Sequence, residues 1–513
     1  MKLDNRKKMF IYSNIASYMS LVVTMMSGLI SVKVALGYLG PTVYGIWLTI
    51  NSIVVYFQLA DLGIPLSTMN YVAQADCISK KKQIVRKSLI LVTLLGLLAL
   101  AAVYSFNFLF PPWAFILGDV PQELKMDAGQ ALLLTVTLFL VKLPFTVFSF
   151  VFSGFQKIYW TKIYGALTAL GALFALCFSR FIGGNLIDLA MISGIISLLI
   201  GLMSGMHLLI FFTKAELSES GQSFALTTDK FPYRNFLSNG IRFLCLQLGA
   251  MIVLNTDNII ISQYLGPGPV PIYAVAFKVF YMAITFIGIV ANVLWPMYSK
   301  AVGNKNWPWI QQVYSLNLLT SVLFGGAIWV GGVLFYKDLI ELWLGSDMYG
   351  GLLLVFSLGG YVYMATIAGC NTSLLNALNP TNTQVFIYLL DPILNLLLSI
   401  TLIKYFGISG VALGTLLSII IVHSVLPIKY IHHRSEGNLN VEYKQVLLQF
   451  LMHLLPFLVI SVLINLFFDT GFTRFFLSIA IFGLYLIMSI KYIPKEIKDY
   501  AKKIRLWGMS LYE

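Results

Sequence analysis

Long apolar runs, each broken by a few polar, glycine or proline residues, follow one another along almost the whole chain. A helix needs about 20 residues to cross the hydrocarbon layer of a bilayer. By that measure the pattern predicts fourteen spans, at roughly 11–36, 43–69, 87–110, 128–152, 159–179, 187–212, 235–261, 270–298, 309–336, 350–375, 383–403, 408–428, 446–468 and 473–492. Glycine and proline recur inside the runs, which membrane helices tolerate better than soluble ones. The expected fold class is an all-α polytopic membrane protein. The first run begins behind Arg6, Lys7 and Lys8, yet it is too long for a cleaved signal segment and lacks a small-residue cleavage site.

One short turn occurs twice. Tyr38-Leu39-Gly40-Pro41 joins the first two predicted spans, and Tyr264-Leu265-Gly266-Pro267 joins the seventh and eighth. An aromatic follows each copy within a few residues, Tyr44 in one case and Tyr273 in the other. Gly-Pro is a common turn signal, so two tight loops can share it for that reason alone. Its placement at equivalent points implies instead a repeat of six helices, with spans 1–6 matching spans 7–12. Because six is even, both units enter the membrane from the same side, as parallel repeats about an axis along its normal. The expected organisation is an N-terminal six-helix bundle (1–212), a cytoplasmic linker (213–234), a C-terminal six-helix bundle (235–430), and two extra transmembrane helices with a basic cytoplasmic tail (431–513). Two such bundles suggest a gated cleft, as in many secondary transporters.

Composition sharpens this. Of 513 residues, 58% are hydrophobic and 11% charged, against about 25% charge in a soluble domain. The net charge of +13 would raise nucleic acid as a partner for a soluble chain. Here its distribution answers the question. With both termini inside, the outer loops hold only Lys125, Arg180, Lys337, Lys404 and Arg474, and the cytoplasmic segments carry the clusters Lys80-Lys81-Lys82 and Lys495 to Arg505. That is the positive-inside bias, and no nucleic-acid partner is needed. Cys77, Cys177, Cys245 and Cys370 share no metal or redox spacing, and only His432 and His433 adjoin among the histidines. No phosphate-binding glycine loop is present. The expectation is no enzyme, no catalytic residue, no metal and no cofactor.

Charges inside hydrocarbon are costly and usually face a cavity or a partner. Apart from Lys87, Lys162, Asp188, Arg474 and Lys491 at span ends, four cations and three acids fall within the spans. Arg242 lies one or two turns from the cytoplasmic surface, where its guanidinium fork would suit phosphate oxygens, or would snorkel to the inner headgroups. Lys142 is deeper and precedes Pro144 by two residues, where a kink is expected. Lys278 occupies the outer third of span 8, and Lys33 lies within a turn of the outer end of span 1. These four are the substrate-binding candidates. Asp61, four residues before Pro65, Asp257 and Asp391, just before Pro392, are the acids. A buried carboxylate can carry a proton or help hold Na⁺. It can also pair with a lysine, and Asp61 can brace a helix junction; the residues leave these readings open. Asn255, Asn371 and Asn395 suit either a sugar path or helix–helix contacts, and Trp47, Trp160, Trp295 and Trp343 suit an interfacial belt.

The stretch LGYLGPTVYGIWLTINSIVVYFQLADLGI, Leu36 to Ile64, resembles the opening of the polysaccharide exporter branch of the multidrug/oligosaccharidyl-lipid/polysaccharide superfamily. The closest type is the O-antigen and capsule repeat-unit flippases, often called Wzx. The likeness extends over the chain in span number, cytoplasmic termini, two six-helix units and a basic loop after span 2. What the resemblance implies is a V-shaped pair of bundles around a cationic cavity in a bacterial cytoplasmic (inner) membrane. The cargo implied is an undecaprenyl-pyrophosphate-linked oligosaccharide, flipped to the outer leaflet for O-antigen, capsule or lipopolysaccharide biosynthesis. Coupling to H⁺ or Na⁺ and a monomeric transporter are the accompanying expectations. A polysaccharide polymerase and a chain-length regulator would be partners. Three alternatives stay open: a multidrug antiporter of the same superfamily, a lipid II flippase, and a non-transporting scaffold of glycan assembly.

Overall fold

The computed structural model describes residues 2–75, 77–109, 117–219, 233–378, 382–423, 426–435, 437, 439, 453–468 and 471–491. The linker residues 220–232 and the basic tail from 492 onward lie outside these. Every regular element among the described residues is helical. Nine of the described helices are long and apolar enough to cross a membrane, and Val270–Thr285, Ile408–His423 and Leu455–Phe467 are shorter apolar helices. The chain is an all-α polytopic membrane protein. Large apolar side chains point outward, such as Phe108 at 89% and Phe181 at 85% exposure; in lipid that surface meets its own kind.

Two compact units divide the chain between Pro271 and Ile272. Unit 1 contains α1 (Lys2–Tyr56), α2 (Ile64–Gln74), α3 (Ile78–Leu109), α4 (Lys125–Lys142), α5 (Thr146–Gly154), α6 (Ile158–Phe181), α7 (Leu186–Glu219) and α8 (Tyr233–Leu265). α1 is two helical limbs meeting at Gly40, whose φ of 71° only glycine adopts freely. Gly266, the same letter of the second turn, has φ 79°. The two copies thus share a glycine with positive φ. Tyr44 and Tyr273, the aromatics that follow, are both buried.

The second copy also meets the helix that follows the first. A Cβ on Gly45 would lie 1.8 Å from the carbonyl oxygen of Pro267, so the second turn rests on the bare backbone of the second limb of α1. Beside them Ser262 donates to the Leu117 carbonyl at 2.6 Å, and Gly118 is pressed against Ser262. α8, which the repeat assigns to the second bundle, packs in this way on α1 and α2. The unit's core is aliphatic, with Ile46, Ile50, Ile64, Val92, Leu132, Leu140 and Val147 buried.

Unit 2 contains α9 (Val270–Gly303, which begins at the boundary), α10 (Trp307–Trp343), α11 (Leu352–Ala377), α12 (Asn382–Phe406), α13 (Ile408–His423), α14 (Leu426–Arg434), α15 (Leu455–Phe467) and α16 (Phe472–Lys491). Small residues set its close contacts, as expected where apolar burial cannot drive helices together in lipid. Trp329 of α10 lies on Gly359 and Gly360 of α11. Gly410 and Gly414, four apart on α13, face the backbone of Leu402 and Ser399 on α12, and Asn395 donates to Thr415 across the pair at 2.9 Å. α15 and α16 are fastened to α10: Asn465 donates to the Val333 carbonyl at 2.7 Å, and Tyr485 to that of Leu323 at 3.3 Å.

Candidate functional site

The charged residues inside the helices separate into those held by neutral groups and those held by charge. Lys142 belongs to the first kind. Pro144 lacks an N–H and disfavours helix at its predecessor; a 3-10 turn, Leu143–Phe145, parts α4 from α5 there. The kink expected beside Lys142 is present. Its ammonium donates to the hydroxyl of Ser197 on α7. Among the described residues it meets no carboxylate.

Asp61 closes a second helix break. The 3-10 turn Phe57–Asp61 ends at Leu62 and Gly63, with φ 50° and 68°, before α2 restarts with Pro65 in its first turn. The buried carboxylate accepts the N–H of Gly63 at 2.7 Å. This is the junction-bracing arrangement, with the acid fixing two residues in the left-handed region. Asp257 is buried on α8, amid a polar seam to α1. There Asn258 donates to Ser52 at 3.0 Å, and the Tyr56 hydroxyl lies 2.8 Å from that of Thr256. Asn255 turns back to its own helix, donating to the Met251 carbonyl at 3.2 Å.

Asp391 belongs to the second kind. Its Oδ2 lies 3.3 Å from Nε2 of His423, so among the described residues its partner is a histidine on α13 and not a lysine. His423 was not among the residues singled out from the sequence. The available signal was a lone histidine inside an apolar run. Lys33 is exposed on the first limb of α1, and Lys278 is half-buried on α9. Arg242 falls on α8, but its side chain lies outside the described residues. No group of three His, Cys, Asp or Glu side chains gathers for a metal among the described residues.

Arg474 departs from its expected place. Counted as an outer-loop cation, it lies in the first turn of α16 with 1% exposure. It donates to Asn465 at 2.9 Å and to the Leu334 carbonyl at 3.4 Å, and Asp338 stands 3.7 Å away. Trp160, near the start of α6, stands edge-on to His207 at 4.1 Å.

No family model matches the chain. It is similar to two curated proteins named "Putative O-antigen transporter". The one from Salmonella typhi is 24% identical over 81% of this chain and 95% of its own length. That from Salmonella typhimurium is 21% identical over 82% and 96%. Among solved structures, the "Lipid II flippase MurJ, inward closed conformation" superposes with a TM-score of 0.67 at 16% identity, covering 93% of this chain and 98% of that one. An inward-facing MATE family transporter of the MOP superfamily superposes at 0.63 with 14% identity, covering 82% and 98%. The chain shares its fold with these solved structures, one named a flippase and the other a transporter.

Proposed function

We propose that this chain flips a polyprenyl-pyrophosphate-linked glycan from the cytoplasmic to the outer leaflet of a bacterial inner membrane. It does so on fourteen spans, as two parallel six-helix bundles plus two helices, with both termini inside. The observation that carries this reading is Lys142, an ammonium kept at the C-terminal end of α4 beside a proline break and met by a hydroxyl in place of a carboxylate. A cation held that way is available to an anionic cargo, and its attraction strengthens away from water. Arg242, Lys278 and Lys33 are its proposed companions along the path. An undecaprenyl-linked repeat unit for O-antigen or capsule is the cargo that the similarity to the putative O-antigen transporters favours. The structural likeness to the lipid II flippase, which covers more of the chain, favours a peptidoglycan precursor as the second reading.

Flipping in proteoliposomes separates these. With an undecaprenyl-pyrophosphoryl oligosaccharide and lipid II supplied in turn, the unaltered chain is expected to move at least one. Lys142→Gln is expected to lower that rate roughly tenfold or more, as for loss of a charge-assisted phosphate contact, and Lys142→Arg to retain most of it. Organic-cation export without flipping of either lipid would overturn the proposal.

The Asp391–His423 pair is the proposed coupling site, since protonation of either partner changes the charge between α12 and α13. Asp391→Asn and His423→Gln are each expected to leave downhill flipping intact while an imposed pH gradient no longer accelerates it. Full acceleration in both variants would return the pair to a purely structural role.

A further inference from the structure

One cluster in unit 1 is not used by this mechanism. α5 ends in a Schellman turn: Gln156 takes φ 58°, its N–H meets the Ser153 carbonyl at 2.9 Å, and the N–H of Lys157 meets that of Phe152 at 2.9 Å. The turn fixes the backbone of Lys157 just before α6. Its ammonium lies 3.8 Å from the centroid of the Phe211 ring on α7. Phe211 stands edge-on to Phe155 at 5.0 Å. Over the Phe155 ring, at 4.8 Å, lies the ammonium of Lys81 from the first turns of α3. Behind them Trp160, Tyr164 and His207 form a packed wall, with Tyr164 and His207 hydrogen-bonded at 3.1 Å.

Two ammonium groups are therefore held on two touching rings. Among the described residues neither meets a carboxylate. Segments 77–88, 155–164 and 204–214 contain basic residues and no acidic one; Asp76 precedes the first, and Glu216 and Glu219 follow the last, with side chains outside the described residues. A lysine seated on a ring still has N–H donors turned away from it, since an ammonium carries three donors and no acceptor. Burial lowers the Lys157 pKa from its ordinary value, so an anion that restores its partner would be welcome there.

We propose that Lys81 and Lys157, on the Phe155–Phe211 pair, dock the pyrophosphate of the lipid-linked glycan at the cytoplasmic leaflet before it enters the transport path. The site rests on the function proposed above and on the positive-inside orientation. Charge stoichiometry selects this occupant. A pyrophosphate bridging a lipid and a sugar carries one negative charge on each phosphorus, and two fixed ammonium groups match both. A singly charged phospholipid uses one of them. The rings add an apolar floor beside the first isoprene units, where a hydrated lysine alone would offer none.

The test uses the full chain in phosphatidylcholine nanodiscs with an undecaprenyl-pyrophosphoryl oligosaccharide as the probe, read by native mass spectrometry. Lys81→Gln/Lys157→Gln is expected to weaken binding roughly tenfold or more, and to slow flipping at low lipid load while leaving the saturated rate unchanged. Lys81→Arg/Lys157→Arg should recover binding, and matched thermal unfolding would exclude misfolding of the glutamine variant. Unchanged binding and flipping in the glutamine variant, with the unaltered chain active, would overturn the dock alone. Equal displacement of the probe by phosphatidylglycerol would also overturn it, making the cluster an ordinary anionic-lipid contact. An unaltered chain that neither binds nor flips any pyrophosphate lipid would remove the transport reading, and the dock with it.

Discussion

Gly45→Ala is expected to abolish flipping while leaving the chain inserted and folded. The new Cβ would sit 1.8 Å from the Pro267 carbonyl oxygen and 2.7 Å from its carbon. Both are backbone atoms in a proline turn, so no rotamer change relieves the overlap. The second turn and α1 must part, at about 1–3 kcal/mol for overpacking a close contact. That separation matters because the sequence repeat would assign α8 to the second bundle, while Gly45 and the loop at Gly118 fall in the first. If these glycine-on-carbonyl contacts close the outer side during flipping, one methyl group holds them ajar.

Gly37→Ala is the control, since a Cβ there meets nothing within 4 Å. A cysteine replacing Ser262, in a cysteine-free background, reports on closure. An impermeant maleimide should label it slowly in the parent and several-fold faster with Gly45→Ala. Normal flipping in Gly45→Ala, or equal labelling in both, would mean that the contact is no gate.

This contact shows where a single sequence stops. The repeat of Tyr-Leu-Gly-Pro was legible, and so was its role as a turn, because Gly-Pro has a local cause for turning. That the second turn would touch α1 depends on how α8 lies against α1, which no local pattern encodes. The same division runs through the charged residues. Pro144 predicts the break beside Lys142 by sterics within one turn, but Ser197 is 55 positions away. Asp61 could be read as a brace because Gly63 and Pro65 adjoin it. Asp391 could not be paired, because counting formal charges at neutral pH hides His423. Arg474 failed for a different reason. A loop rule assigns charges by linear distance from an apolar run, whereas a guanidinium in the first turn of a helix can lie inside the fold if neighbours supply acceptors.

Those acceptors make Arg474 the position with the largest expected effect on stability. Arg474→Met should destabilise unit 2 by about 3 kcal/mol, the lower end of the cost of removing one member of a buried ion pair. The lower end applies because the pair is incompletely compensated. Among the described residues Nε and Nη1 have no hydrogen-bond partner, and Asp338 is 28% exposed. The guanidinium nevertheless ties three helices, reaching Leu334 on α10 and Asn465 on α15 from α16. Its field also reaches Tyr349, where burial raises the phenol above its ordinary pKa and Arg474 opposes the rise. Methionine would fill most of the volume but strand Asp338 and Asn465. Removing the stranded charge as well, in Arg474→Met/Asp338→Leu, should recover much of the loss, because two apolar groups replace a buried pair at little cost. Thermal unfolding in detergent, with limited proteolysis of the α15–α16 hairpin, reads both steps. An unshifted Tm in the single variant, or no recovery in the double, would show that the hairpin is held by its apolar packing on α10 and that the buried charge is incidental to it.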